Sequence, residues 1–168
     1  VSMPKIEIIK KIRSKKILIN PISKSSNFFS VNTLNYSEFS DIDLLIMSGI
    51  KENIVNLDLS NSKITDSLFF NLKYFTNLTV LKLNNTRIFG DNIDELSKLK
   101  SLKRIYLVNS KFDPQNIEKL TKFKNLEKVY LFQENRILKT PRKVSKDYDE
   151  IFDFGNYSLD NSEENMKS

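Results

Sequence analysis

The chain has 168 residues, of which 39% are apolar and 29% charged, and this balance predicts a single folded domain with a sizeable core. It contains neither cysteine nor histidine, which excludes disulfides, covalent haem attachment, thiolate sites and histidine-based zinc sites within these residues. The formal net charge is +6 but unevenly spread: residues 1–24 carry seven Lys/Arg and one Glu, whereas residues 146–168 carry two Lys and seven Asp/Glu.

The basic beginning of the chain has two interpretations. Its cations could contact nucleic acid or an anionic surface, or they could simply be solvated, and we favour the second. The residues concerned are Lys10, Lys11, Arg13, Lys15 and Lys16. Nucleic acid is therefore not an expected partner.

The same segment, "VSMPKIEIIKKIRSKK", does not read as a secretory signal, because charged residues interrupt its apolar stretch. No run of apolar residues is long enough to cross a membrane. A chain that opens on Val1 suggests a fragment of a longer protein or a truncated reading frame, and either would leave targeting information outside this sequence.

Residues 1–50 are predicted to cap the start of the domain and to include an irregular first repeat. "PKIEIIKKI" predicts a helix, and "KILINPI" and "FFSVNTL" predict two strands. In "SDIDLLIMSGIKENI", Asp41 and Asp43 lie near the start of a further helix, where we interpret them as a cap rather than a metal site.

Residues 51–137 contain a repeat with a period of 24 residues. The aligned segments read "IVNLDLSNSKI", "LTVLKLNNTRI", "LKRIYLVNSKF" and "LEKVYLFQENR". Apolar residues recur in register in the first half of the unit, at Ile54/Leu78/Leu102/Leu126, Leu57/Leu81/Ile105/Val129 and Leu59/Leu83/Leu107/Leu131. They recur in the second half at Phe69/Ile93/Ile117, Leu72/Leu96/Leu120 and Phe75/Leu99/Phe123.

Each unit predicts one strand and one helix. The L-x-x-L-x-L half alternates like a strand, and the second half spaces apolar residues three apart, on one face of a helix. Thr65, Asp66, Asp91 and Asp113 are predicted to cap these helices. One unit is too small to bury its own apolar face, so neighbours must stack, with their strands side by side in a parallel sheet.

This is the leucine-rich-repeat pattern. The fold class is therefore predicted to be α/β: a leucine-rich-repeat solenoid with parallel strands on the concave face, helices on the convex face and a 24-residue period. The usual turn asparagine is replaced by Ser62, Thr86 and Ser110, whose hydroxyls are expected to take over part of its role. The fourth copy has Glu134 there, which marks the end of the array.

The end of the chain divides into two predicted parts. Residues 138–159, which include "DYDEIFDFGNYSL", form a C-terminal cap that folds back over the last strand. Residues 160–168 form a polar, disordered tail.

The stretches "LDLSNSKITD", "LKRIYLVNS" and "LEKVYLFQE" resemble the leucine-rich tail that follows a c-type cytochrome domain in membrane-anchored bacterial proteins. The similarity runs through roughly residues 15–160. It implies a periplasmic or extracytoplasmic location. The C-x-x-C-H haem motif of that family is absent from this chain, so none of its electron-transfer chemistry is transferred.

No motif for catalysis was found, and we expect the chain not to be an enzyme. Without histidine there is no nucleophile–histidine pair, and three glycines form no phosphate-binding loop. "DYDEIFD" lacks the central glycine and the spacing of a calcium loop, so we interpret it as a solvated acidic turn. No cofactor or metal is predicted.

The outward strand positions of the last two units predict a binding surface. Tyrosine and arginine are enriched at binding hot spots, and adjacent strands would bring these side chains together. The predicted partner-binding residues are Arg104, Tyr106, Val108, Lys128, Tyr130 and Phe132.

Three interpretations of this surface stay open. It binds a protein partner, it binds a glycan, or it is covered by the acidic C-terminal segment, whose acids would then pair with Arg104 and Lys128. We expect a monomeric, non-catalytic interaction module that binds a protein.

Overall fold

The computed structural model describes residues 5–155 of the chain. The predicted tail, 160–168, and the last part of the predicted C-terminal cap therefore lie outside the described residues. The strands are β1 (Leu18–Pro21), β2 (Phe29–Asn32), β3 (Ile54–Asp58), β4 (Val80–Lys82), β5 (Arg104–Tyr106), β6 (Lys128–Tyr130) and β7 (Phe152–Asp153). The α-helices are α1 (Lys5–Ser14) and α2 (Phe69–Leu72), and 3-10 helices span Asp41–Asn53, Asp66–Leu68, Ile93–Lys98, Pro114–Lys122 and Lys146–Glu150.

The seven strands form one mixed, largely parallel sheet in sequential order. β1 pairs antiparallel with β2, and every later pair is parallel. From β3 to β6 the register advances by one sequence period at each step, so that Asn56, Val80, Arg104 and Lys128 stand side by side. The architecture is an α/β domain whose sheet alternates with helices, consistent with a short repeat α/β domain.

The helices that connect the strands are mostly 3-10 helices, whereas α-helices were expected. The apolar spacing explains the difference. Residues such as Ile93, Leu96 and Leu99 recur every three positions, which matches three residues per turn better than 3.6. All three are buried, so the apolar face of the short helix lies in the core as predicted.

The core lies between the sheet and the helices. Leu57, Leu81, Ile105 and Val129, one from each repeated strand, are all at most 1% exposed. Burying such side chains stabilises the fold by about 1.5–3 kcal/mol each, before the entropy of ordering the chain is subtracted. The strand residues between them stay half-buried or exposed, because alternate strand residues face opposite sides of a sheet.

The turns after the strands are closed by buried hydroxyl groups, as predicted. Ser62 Oγ donates to the Leu59 carbonyl at 2.6 Å, and Thr86 Oγ1 makes the same bond to Leu83 at 2.6 Å. Ser110 Oγ donates to the Leu107 carbonyl at 2.9 Å. Each hydroxyl therefore satisfies a backbone carbonyl in a buried turn, and the Leu107 carbonyl also accepts from Gln133 Nε2 at 2.8 Å.

The predicted helix caps are partly wrong. Thr65 and Asp113 do cap their helices, since their side chains accept hydrogen bonds from the N–H groups of Ser67 and Gln115. Asp66 and Asp91 do not. The Asp66 carboxylate instead accepts from the Gly90 N–H at 3.0 Å, in the next unit.

Asp91 behaves like Asp66, because its Oδ1 accepts from the Asn116 side chain at 2.8 Å. Further upstream, Asp43 closes a capping box with Ser40, as predicted. Asp41, however, accepts from the Thr65 N–H at 2.8 Å. These aspartates hold successive units together, a role that only the stacking of the units creates.

Both ends of the sheet are covered by chain from outside the repeated units. At the start, α1 buries Ile8 and Ile12 beside the helix Asp41–Asn53. At the end, Phe152 of β7 is 4% exposed and pairs with Val129, so it closes the core. The C-terminal segment thus extends the sheet as a seventh strand, whereas the sequence predicts a segment that folds back over the last strand.

Candidate functional site

One face of the sheet carries no helix formed by residues 5–155, and its strand residues are at least partly solvent-accessible; we call it the open face. Because the strands are in register, its side chains form rows across the sheet. One row runs through Asn56, Val80, Arg104 and Lys128. The next row contains Asp58, Lys82, Tyr106, Tyr130 and Asp153.

Tyr106 and Tyr130 are stacked on neighbouring strands. Their ring centroids are 4.3 Å apart and the ring planes differ by 19°. On the other side, Lys82 Nζ lies 5.0 Å from the Tyr106 ring centroid, within range of a cation–π interaction. The middle of this row therefore consists of the Lys82 cation followed by the two stacked tyrosine rings, all of them partly exposed.

The hydroxyl of Tyr130 is electrostatically perturbed. Partial burial raises the pKa of Tyr130, and the Tyr106 hydroxyl beside it raises that pKa further, while Arg104 opposes the shift. The phenol of Tyr130 therefore stays neutral at physiological pH. The tyrosine pair offers flat apolar faces and hydrogen-bonding hydroxyls, with Lys82 on one side of the row and Asp153 on the other.

Phe132 and Val108 extend the apolar part of the surface beyond the strand ends. Phe132 is 40% exposed, and its ring lies against Gly155, where a Cβ atom would come within 2.6 Å of it. Val108 is half-buried, and its N–H donates to Asn84 Oδ1 at 2.9 Å. Val108 follows Tyr106 and Phe132 follows Tyr130 by two residues, at equivalent positions of the 24-residue period.

The cations flank this apolar centre. Arg104 is exposed and stands beside Lys128, its register partner. Lys128 Nζ donates to the backbone carbonyl of Glu150 at 2.7 Å, which is a contact with the C-terminal segment. We use the name aromatic patch for the six residues Arg104, Tyr106, Val108, Lys128, Tyr130 and Phe132.

The C-terminal segment, as far as Gly155, borders the aromatic patch. β7 pairs with β6 in the plane of the sheet, which puts Asp153 next to Tyr130 in the same row. Ile151 and Phe154 are half-buried against the end of the core. Covering of the patch by residues 156–159 lies outside the described residues and stays a prediction.

A groove of about 320 Å³ adjoins the patch on the open face. Its polar lining includes Asn32, Asn56, Asp58 and Lys82, and Arg104 and Tyr106 form the side that it shares with the patch. The repeat columns of the sequence contain Asn56, Asp58 and Lys82, but nothing in those columns indicates that β2 supplies Asn32 as a further side of the groove.

Metal-ligating side chains are not clustered in the part of the chain that the structure describes: no group of three or more acidic residues converges there. Between residues 5 and 155, no helix is long and apolar enough to cross a membrane. The chemical groups that the open face offers to a ligand are the stacked tyrosine rings, the cations and the hydrogen-bonding side chains of the groove.

The chain matches no protein-family model, and a comparison with curated proteins finds no significant match. Any statement of function therefore rests on the chemistry of the chain itself.

Proposed function

We propose that this chain is a short leucine-rich-repeat solenoid that acts as a non-catalytic interaction module and binds a protein partner through its concave face. The solenoid assignment is supported by the 24-residue period, by the identical register of β3 to β6, and by the hydroxyl-closed turns. The concave face corresponds to the open face of the sheet. Residues 1–50 and 138–159 act as caps of this array.

The observation that carries the binding proposal is the partly exposed Tyr106–Tyr130 stack. Aromatic side chains at the centre of a protein interface contribute much of the binding free energy, because they bury large areas at a small cost in side-chain entropy. Phe132 adds apolar area, while Arg104 and Lys128 provide a charged rim. An apolar centre inside a polar rim is the usual composition of such interfaces.

The test compares the full chain with the double variant Tyr106→Ala/Tyr130→Ala as bait in a pull-down from the source organism. A matched control is Tyr74→Ala/Phe89→Ala, which removes two aromatics that are 55% and 48% exposed but belong to neither the patch nor the groove. We expect the control to recover the same partners as the unmodified chain and the patch variant to lose them. Equal recovery by both variants would exclude the aromatic patch.

A second candidate function is glycan binding, and the groove favours it. Asn32, Asn56 and Asp58 supply donors and acceptors suited to sugar hydroxyls, and Tyr106 supplies a ring face on which a sugar could stack. A glycan array distinguishes the two functions. A signal that disappears in Asn56→Ala, with pull-down partners unchanged, would assign the groove to glycans, whereas a blank array leaves the protein partner.

We further propose an extracytoplasmic location, which rests on the resemblance to cytochrome-associated leucine-rich tails. The test is the reading frame upstream of Val1: a membrane segment followed by C-x-x-C-H supports the proposal, and a frame without either contradicts it. The module is proposed to be a monomer, which light scattering after size-exclusion chromatography measures directly.

A further inference from the structure

The turns that follow β3, β4 and β5 stack into one continuous edge of the molecule. Backbone hydrogen bonds of 2.9 Å join each turn to the next: Asn61 N–H to Asn84 O, Asn85 N–H to Val108 O, and Asn109 N–H to Phe132 O. The asparagines Asn61, Asn85 and Asn109 have φ values of 60°, 53° and 51°, so equivalent residues repeat one left-handed conformation. The edge is thus a regular, hydrogen-bonded ladder, which we call the turn edge.

A row of cations follows the turn edge. Lys63, Arg87 and Lys111 occupy equivalent positions in successive units, and all three are exposed. None of the ion pairs between described residues includes them. Because the turns stack like the strands, the cations recur at about one strand spacing, roughly 4.8 Å.

Among the described residues, the nearby aspartates form no ion pair with this row. Asp66 accepts hydrogen bonds from the N–H groups of the next turn, and Asp91 accepts from the Asn116 side chain. Asp113 caps its own helix. All three carboxylates are therefore engaged in hydrogen bonds within the fold, and none of them lines the adjoining grooves.

Two adjoining grooves run along the turn edge, with volumes of about 640 Å³ and 260 Å³. They share Asn85, Asn109 and Lys111, so they form one path. Each groove has one acidic residue in its lining, Glu38 in the first and Glu134 in the second. The cations Lys63, Arg87 and Lys111 line the first groove, and Lys111 also lines the second. Neither groove has an aromatic residue in its lining.

We propose that the turn edge binds an acidic polysaccharide, a chain of sugars that carries regularly spaced carboxylate or sulfate groups. The cations Lys63, Arg87 and Lys111 pair with the acidic groups, and the amides of Asn61 and Asn85 serve the sugar hydroxyls as donors and acceptors. The length of one pyranose residue along a polysaccharide is close to the distance between successive turns of the turn edge. Successive sugars can therefore meet successive, equivalent turns.

Other polyanions fit the turn edge less well. Single-stranded nucleic acid needs aromatic side chains on which its bases stack, and the grooves provide none. An extended acidic peptide repeats the side chains of one face at roughly 6.6 Å, which does not match a cation row spaced at about 4.8 Å. The site is separate from the aromatic patch, so it does not depend on the proposed protein partner.

The test measures binding of the full chain to immobilised polygalacturonate, which carries carboxylates, and to immobilised heparin, which also carries sulfates. The variant Arg87→Glu/Lys111→Glu reverses two adjacent cations of the row. The matched control Lys100→Glu/Lys124→Glu reverses two exposed lysines, also 24 residues apart, that precede β5 and β6. Both variants change the net charge equally, and circular dichroism verifies that each is folded.

We expect the unmodified chain to bind at least one of the two polysaccharides, with affinity that falls as salt rises. The turn-edge variant is expected to bind about tenfold or more weakly, while the control changes by less than about threefold. Preference between the two polysaccharides identifies the acidic group. The proposal is overturned if neither polysaccharide binds, if both variants weaken binding equally, or if only single-stranded DNA binds.

Discussion

Replacing Gly90 by alanine is expected to destabilise the protein by about 2–4 kcal/mol. Gly90 has a φ of +91°, a conformation that residues with a side chain rarely adopt. A Cβ atom at this position would lie 2.3 Å from Cε2 of Phe112, with two further ring atoms within 2.9 Å. Phe112 is fully buried, so its ring has no free space to move into.

The magnitude follows from three contributions. Forcing a methyl group into a packed core costs about 1–3 kcal/mol. Holding alanine at positive φ costs roughly 1–2 kcal/mol. Alanine also restricts the unfolded chain, which offsets the loss by about 0.4–1 kcal/mol. The midpoints of the three ranges combine to a loss of about 3 kcal/mol, the centre of the expected range.

The assay is chemical denaturation followed by circular dichroism, with thermal unfolding as a second measurement. For a chain of this length the loss corresponds to a melting temperature lower by about 5–15 °C. Gly49→Ala is the matched control: its Cβ would meet the terminal methyl of Ile8 at 2.2 Å, and that methyl can rotate away. We expect the control to stay within about 1 kcal/mol of the unmodified chain. A neutral Gly90→Ala, or equal losses in both variants, would refute the reasoning.

Three further predictions concern single contacts. Thr86→Val keeps the shape but leaves the Leu83 carbonyl without its 2.6 Å partner, so the free energy of unfolding should fall by about 1–3 kcal/mol; Thr86→Ser, which keeps the hydroxyl, should lose less. A double-mutant cycle of Tyr106→Ala and Tyr130→Ala should give a coupling of about 0.5–1.5 kcal/mol for the stacked rings, and zero coupling would contradict the stack. Burial raises the pKa of the Asp66 carboxyl group above its value in the unfolded chain. The folded state therefore binds a proton at Asp66 more readily than the unfolded state does, so this group adds to the free energy of unfolding as the pH falls. Asp66→Asn should lose this pH-dependent contribution when the free energy of unfolding is compared at about pH 6 and about pH 3.

The strand register could be predicted from the sequence, because the 24-residue period shows which residues of successive strands are equivalent. Once Leu57, Leu81, Ile105 and Val129 are recognised as equivalent, parallel pairing places them side by side, and the structure shows them so. The same equivalence put Tyr106 beside Tyr130. It could not reveal that the C-terminal segment adds a strand, because β7 follows no repeat column.

The polar contacts between successive units could not be predicted from the sequence. An aspartate before a short helix looks the same in sequence whether it caps that helix, as Asp113 does, or reaches the next turn, as Asp66 does. The choice depends on the distance to the neighbouring unit. Only stacking sets that distance.

By itself, then, the sequence determined the class of structure, the strands, their order in the repeated region and the face on which each residue lies. These follow from periodicity, since one face of every strand and helix has to leave water. The tertiary structure decided which polar groups meet: the aspartate bridges, the groove beside Tyr106, the placement of β7 next to the aromatic patch, and the cation row on the turn edge. Such contacts depend on distances between units, which residue type and spacing do not encode.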